Sequence, residues 1–206
     1  MTFEVVALEN RHIREVVDIH MRAFPDFFLT FLGKGFLKEF YGFFLCDPMG
    51  IAFVAEDSDS KQILGVVVGP LVPDGYFKRL LKKRWWAFCL ASITAILKKP
   101  PVIKRLFRAL FYRGESPQDK DRALFSSIAI SPGTQRKGVG KALVKKWLDA
   151  VSERGGKGAF LTTDAENNNV VNSFYHNLGW KVESTYETPE GRKMNRYVYD
   201  FETPKV

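Results

Sequence analysis

Apolar positions recur along this chain at two different periods, and the changes between them mark out its elements. Thr2 to Leu8 alternates weakly and predicts a first strand. Glu9-Asn10 then caps a helix in which Ile13, Val16, Val17, Ile19 and His20 share one side. The helix should end near Phe24-Pro25, because a residue before proline resists the helical conformation. Phe27-Phe28-Leu29 and Phe31-Leu32 lead into a second helix from about Lys34 to Cys46, rich in Phe and Tyr and stopped by Asp47-Pro48. Gly50 to Glu56 and Gln62 to Leu71 read as strands, and the polar turn from Asp57 to Lys61 makes them a hairpin.

The second half carries a clearer alternation of strand and helix. Leu124 to Ile130 is a strand, Ser131 to Thr134 a turn, and Lys141 to Arg154 a helical pattern. Gly155-Gly156 stops that helix, and Lys157 to Thr163 follows as a strand. Asn168 to Leu178 is a short helix. Trp180 to Thr188 and Arg192 to Phe201 form a closing hairpin through Pro189 to Gly191. The order predicts an α/β fold with a mixed sheet flanked by helices, as a single domain over residues 1–206.

Between about 74 and 118 the alternation breaks. Lys78 to Arg84 is a basic run, and Trp85 to Leu97 is nearly all apolar but too short to span a bilayer as a helix. After Lys98-Lys99-Pro100-Pro101, Val102, Ile103, Leu106, Phe107, Leu110 and Phe111 recur at helical spacing, with basic residues between them. The chain carries a net charge of +8, yet residues 78–113 hold eleven Lys or Arg and no acid, which leaves 20 basic against 23 acidic residues elsewhere. The basicity therefore belongs to one segment, and a nucleic-acid surface is not expected. Three roles suit the segment: a lid over a substrate cleft, a peripheral contact with anionic membrane, or a homodimer contact.

The two cysteines, Cys46 and Cys89, sit in or beside apolar runs and read as buried thiols; their spacing suggests neither disulfide nor metal. His12, His20 and His176 are scattered, so no metal site is expected. The N-terminal Met-Thr-Phe-Glu lacks a basic stretch followed by an apolar one, so no signal peptide is expected and the compartment predicted is the cytoplasm.

The candidate chemistry centres on Gln135-Arg136-Lys137-Gly138-Val139-Gly140, between a strand and a helix. Glycines there let a ligand approach the backbone, and helix-opening amides with the positive dipole end favour an anion. Gln135, Arg136 and Lys137 add donors and positive charge, so the loop asks for a phosphate, most naturally a pyrophosphate. A P-loop would need Gly-Lys-Ser/Thr, which is absent, and a dinucleotide loop would need glycine where Leu143 stands. What remains is Gln/Arg-x-x-Gly-x-Gly/Ala after a strand and a Pro-containing turn.

That pattern resembles the acetyl-CoA pyrophosphate loop of the GNAT superfamily of N-acetyltransferases. Downstream, Asn168, Val171, Phe174-Tyr175 and Gly179-Trp180 are similar to the second half of the same signature. The likeness is strong over residues 122–202, weaker over 1–71 and absent over about 74–118. It implies the GNAT fold, a mostly antiparallel central sheet flanked by helices, with a helical insert before the central strand. It also implies transfer of the acetyl group of acetyl-CoA to a primary amine of a small-molecule acceptor, an amino sugar or its nucleotide derivative being one option. The resemblance places the pantetheine arm along the backbone of Ile128, Ala129 and Ile130. It places the pyrophosphate on the loop from Gln135 and Arg136 through Lys137, Gly138, Val139 and Gly140 to Lys141, sets Asn168 on the cofactor arm, and makes Tyr175 the general acid toward the thiolate. A phenol is a neutral donor at pH 7, which suits that task; the alternative is a buried aromatic pair, Phe174-Tyr175. For a general base, Glu56, Asp164, Glu166 and His20 are candidates, each more in keeping with a solvated or capping residue, and water could serve instead. The aromatic run before Cys46 suits core packing or an acceptor wall. Transfer of a longer acyl chain, or an idle CoA-binding module at a membrane surface, are the competing functions.

Overall fold

The computed structural model describes residues 2–83, 85, 121–189 and 191–201. Among the described residues the helices and strands predicted outside the insert are present, except that one strand is divided in two. Strand β1 (Phe3–Ala7) leads through a 3-10 turn (Asn10–His12) into helix α1 (Ile13–Ala23). Glu9 caps this turn with its side chain, and its own N–H is received by the His12 side chain. A short α2 (Phe28–Phe31) and a long α3 (Gly33–Cys46) follow, then strands β2 (Gly50–Asp57) and β3 (Ile63–Pro70). The second half holds β4 (Arg122–Leu124), β5 (Ser127–Ile130), α4 (Val139–Glu153), β6 (Gly158–Asp164), α5 (Asn169–Asn177), β7 (Lys181–Glu187) and β8 (Lys193–Asp200).

These strands form two four-stranded sheets, β1-β2-β3-β5 and β4-β6-β8-β7, antiparallel throughout except for the β4–β6 pair. All eight residues of β3 are buried, as a strand covered on both faces should be. On one face Val16, Val17 and Ile19 of α1 and Phe36, Leu37 and Tyr41 of α3 pack against Val54, Val66, Val68 and Ala129. On the other, Leu143, Val144, Trp147 and Val151 of α4 join Val67, Phe125, Leu161, Tyr175 and Trp180 in a second core. This second core touches both sheets and so ties them together.

The single strand expected from Leu124 to Ile130 is two strands, and the break matters for the site. Phe125 N–H donates to Phe160 C=O of β6 (2.9 Å), whereas the next amide, Ser126 N–H, donates to Val68 C=O of β3 (3.0 Å). The chain therefore changes partner within one residue. Beyond this point β5 pairs with β3 alone, and β6 from Leu161 onward pairs with β8 alone. A wedge opens between the two facing edges. An apolar run cannot reveal this, because both halves of it are buried by different neighbours.

Cys46 corrects another expectation: the thiol is exposed, since the last residue of α3 turns away from the core that Phe43 and Phe44 enter. Cys89 lies outside the described residues. At the start of the segment that breaks the pattern, residues 76–83 are helical. Tyr76 is wholly buried with its ring 5.0 Å from that of Phe43, and Arg79 pairs with the buried Asp47 (3.1 Å). The remainder of the predicted insert, residues 84 and 86–118, lies outside the described residues, and with it the lid, membrane and dimer readings.

Candidate active site

The loop after β5 is fastened to the sheet at its start and free at its end. Ser131 N–H donates to Leu64 C=O (2.8 Å), and Thr134 Oγ1 donates to the same carbonyl (3.2 Å). A 3-10 turn over Pro132–Thr134 then delivers the chain to two left-handed residues, Arg136 at φ +62° and Gly138 at φ +84°. Nothing crowds the missing side chain at Gly138, so its glycine is explained by the dihedral alone. Gly140 differs: a Cβ there would stand 3.3 Å from Phe174 Cζ, a tight fit between α4 and α5.

Helix α4 has no side-chain cap at Gly138, and its first i→i−4 bond is Ala142 N–H to Gly138 C=O (3.0 Å). The N–H groups of Val139, Gly140 and Lys141 thus precede the hydrogen-bonded ladder and open the helix. They meet the exposed Gln135, Arg136 and Lys137 at the far end of the wedge, where the fifteen-residue helix adds its positive dipole end. Lys137 Nζ donates back to Gly133 C=O (3.2 Å). The arrangement can bind a phosphate or pyrophosphate through main-chain donors. Ile128, Ala129 and Ile130 form the adjoining edge. Since Ser131 N–H points to β3, strand alternation turns the polar groups of Ile128 and Ile130 toward the open side.

Tyr175 sits beneath the opposite end of the wedge. Its side chain belongs to the second core, 6% exposed, with its ring 6.1 Å from Phe125, 5.3 Å from Phe174 and 5.9 Å from both Trp180 and Tyr197. Phe125 is the residue at which the strand leaves β6, so the phenol packs against the apex. Burial raises its pKa above the ordinary phenol range, so the proton is retained. The ring is thus part of the core aromatic cluster, and its hydroxyl is a neutral donor.

Asn168 stands at the start of α5. Its Nδ2 donates to Thr163 Oγ1 (2.8 Å) and to Asp164 C=O (3.1 Å), and Asn172 Nδ2 donates to the same carbonyl (3.0 Å). Its amide nitrogen is therefore spent on fixing the end of β6, and its carbonyl oxygen is the atom left for a ligand.

The candidate bases separate into two kinds. Asp164 is clamped by Arg192 (2.7 Å) and Glu166 by Lys193 (2.7 Å), both at the surface as expected. Glu56 and His20 are not the solvated groups expected of them. Glu56 is buried 2.8 Å from His12 Nε2 and 3.1 Å from Arg11, and His12 Nδ1 accepts from Glu9 N–H (3.0 Å). Glu56 is thereby committed to holding β2 to the turn before α1. His20 is buried on α1 with Nδ1 2.8 Å from Tyr41 Oη, and burial pushes its pKa down to about 4. Tyr41, the buried partner of His20, was not singled out by sequence; His20 on an apolar helix face was the available signal. Phe27 and Phe31, 40% and 44% exposed, border the loop before α3. Among the described residues no cluster of His, Cys, Asp and Glu could hold a metal ion, and no helix is long and apolar enough to cross a membrane.

Comparison with known proteins agrees with this geometry. Residues 13–180 match the model of a family described as the acetyltransferase (GNAT) family. The structure is similar to ribosomal-protein-S18-alanine N-acetyltransferase from Escherichia coli, with a TM-score of 0.58 and 16% identity, covering 100% of this chain and 99% of that one. It is also similar to an N-acetyltransferase from Staphylococcus aureus Mu50, with a TM-score of 0.61 and 10% identity, covering 97% and 99%. At such identities these likenesses establish the fold. A mycothiol acetyltransferase from Renibacterium salmoninarum is 34% identical over 71 residues, which are 33% of this chain and 21% of that protein. The chain thus spans about a fifth of the length of that curated relative.

Proposed function

Since this chain belongs to the GNAT family of acetyltransferases, enzymes whose acyl donor is acetyl-CoA, we propose that it transfers the acetyl group to the primary amine of a small molecule. The observation that carries the proposal is the uncapped N-terminus of α4 at one end of a wedge whose other end holds a buried, protonated tyrosine. We read the 206 residues as one such domain, interrupted at about 74–118; a family match running through both sheets supports this.

In this reading the pyrophosphate sits on the amides from Arg136 to Lys141, with the Gln135, Arg136 and Lys137 side chains around it. The pantetheine arm takes the place of a missing strand along Ile128, Ala129 and Ile130, and the carbonyl oxygen of Asn168 faces it. A backbone N–H of β5 polarises the thioester carbonyl. The amine attacks, and the hydroxyl of Tyr175 protonates the departing thiolate. Each charged or hydrogen-bonded base candidate already has a partner, so water is the simplest carrier of the amine's proton.

The acceptor follows from charge. Eleven basic residues between 78 and 113 favour an acceptor bearing an anionic group, such as a phosphorylated or nucleotide-linked amino sugar, over a polycation. A screen of primary amines that reads free CoA release tests this directly. Turnover with anionic amino sugars and none with polyamines is expected; the opposite ranking would overturn the acceptor assignment and leave the donor site standing.

A further inference from the structure

Asn168 stands where a helix cap is expected and does not cap. It is the N-cap residue of α5, yet its side chain makes no bond to a first-turn amide. An asparagine in that position ordinarily spends its carbonyl oxygen on such an amide. The chain arrives through Asn167, left-handed at φ +54°, and the Asn168 side chain turns back to β6 instead. Its Nδ2 donates to Thr163 Oγ1 (2.8 Å) and to Asp164 C=O (3.1 Å).

The direction of these bonds is forced. A main-chain carbonyl only accepts, so the atom of Asn168 that faces Asp164 C=O is the nitrogen. Asn172 agrees: its Nδ2 donates to the same carbonyl (3.0 Å), while its Oδ1 accepts from Tyr197 Oη (3.0 Å) and Asn195 Nδ2 (3.4 Å). Both hydrogens of Asn168 Nδ2 are thus used, and the lone pairs of Oδ1 are left over. At Thr163 the opposite holds. Its Oγ1 accepts from Asn168, and among the described residues nothing takes the Thr163 proton. An unused acceptor and an unused donor therefore stand side by side, on residues that are only partly buried.

The pair lies on the wall of the wedge opposite β5. Strand β6 pairs with β4 only as far as Phe160, so its edge toward β5 is open at Thr163. Thr163 is two residues beyond Leu161, a member of the second core, and strand alternation puts both side chains on the face that α5 covers. Phe125 N–H meets Phe160 C=O at the apex. From there Thr163 is three residues out along one wall, and Ile128 is three residues out along the other.

We propose that Thr163 is a cofactor-binding residue: its hydroxyl and the carbonyl oxygen of Asn168 clamp one secondary amide of the pantetheine arm. Thr163 donates to the amide C=O, and Asn168 accepts from the amide N–H. This rests on the arm lying along Ile128, Ala129 and Ile130, as proposed above. A secondary amide presents one acceptor and one donor, the complement of what the pair offers. Secondary amides recur along the arm between pyrophosphate and thiol. Main-chain groups of β5 would hold the arm on one side and this pair on the other, which fixes its depth in the wedge as well as its direction.

Calorimetry on the full chain tests this without an acceptor amine. ADP, which carries a pyrophosphate and no arm, is the control. Thr163→Val keeps the shape and removes the hydroxyl. It should weaken acetyl-CoA and CoA alike by about fivefold and leave ADP, measured by displacement of CoA, unchanged. Thr163→Ser, which keeps the hydroxyl, should bind all three as the wild type does. With CoA labelled with 13C at the amide carbonyls of its arm, infrared difference spectra should show an amide band lowered on binding to the wild type and returned toward its free position in Thr163→Val. Equal affinity of wild type and Thr163→Val for acetyl-CoA overturns the inference and leaves the cofactor site intact. An equal loss for ADP also overturns it, since Thr163 would then only support α5, and so does a Thr163→Ser variant as weak as Thr163→Val. Failure of the wild type to bind acetyl-CoA overturns the cofactor placement, and this inference with it.

Discussion

Two residues, Tyr175 and His20, are both buried, and burial acts on them in opposite directions because their charged forms are of opposite sign. For Tyr175 it disfavours the phenolate, so the proton is present across the working range. Tyr175→Phe keeps the packing against Phe125 and Trp180 and removes only the hydroxyl. A fall in kcat of about 10²–10⁴-fold is expected, with the Kd for acetyl-CoA nearly unchanged, measurable by steady-state kinetics beside calorimetry. A wild-type kcat would mean that the side chain is core and nothing else. For His20 burial disfavours the imidazolium, lowering the pKa from 6.5 to about 4. Between those values the unfolded chain binds a proton that the folded one does not. Stability therefore falls as pH drops from about 6.5 toward 4, by on the order of 3 kcal/mol from this group. Denaturant melts across that window should show the advantage of wild type over His20→Gln shrinking with acid. A pH-independent difference would place the charged imidazole in contact with water after all.

The element that would hold the proposed donor is α4 with the loop before it. Two left-handed residues, Arg136 and Gly138, aim the first amides of the helix away from the loop, and Gly138 leaves them uncovered. Gly138→Asp strains the left-handed backbone and sets a carboxylate against the proposed pyrophosphate. Hydrogen bonds to charged groups are worth about 1.5–3 kcal/mol each, so the loss of one or more should weaken acetyl-CoA by at least about tenfold. Calorimetry on a variant whose circular dichroism matches wild type reads this, and unchanged affinity would remove the loop from the site.

Across the whole molecule the donor would contact both sheets, because the wedge lies between β5 of one and β6 of the other. The core around Trp147, which packs against Phe125 and donates through Nε1 to Ile51 C=O (3.3 Å), already joins them. A ligand bound across this seam stabilises the assembly as a whole. Acetyl-CoA at about 100 times its Kd should add about 2.7 kcal/mol, a rise in Tm of about 5–11 °C for a domain of this size. Calorimetric scans should show one transition that moves as a unit. A transition that splits, with only one part shifted, would mean that the ligand rests on one sheet.

Sequence by itself settled whatever depends on neighbours in the chain. The helices and strands follow from apolar periodicity and from stops such as Phe24-Pro25, Asp47-Pro48 and Gly155-Gly156. The candidate anion loop is read from glycines and donors a few residues apart, and Asn168 with Phe174-Tyr175 completes a pattern confined to one stretch. Only the folded structure decided what depends on long-range pairing. The strand from Leu124 to Ile130 divides because Phe125 finds Phe160 and Ser126 finds Val68, partners 35 residues ahead and 58 behind. Cys46 is exposed although its neighbours are core, because a helix of period 3.6 turns one position away within a single residue. Glu56 and His20 look alike in sequence to any solvated acid or histidine; burial with His12, Arg11 and Tyr41 is a property of the packed molecule. Local patterns write the elements because their physics is local; the pairing of His20 with Tyr41 and the division of the strand at Phe125 are not local, since both form only once distant elements meet.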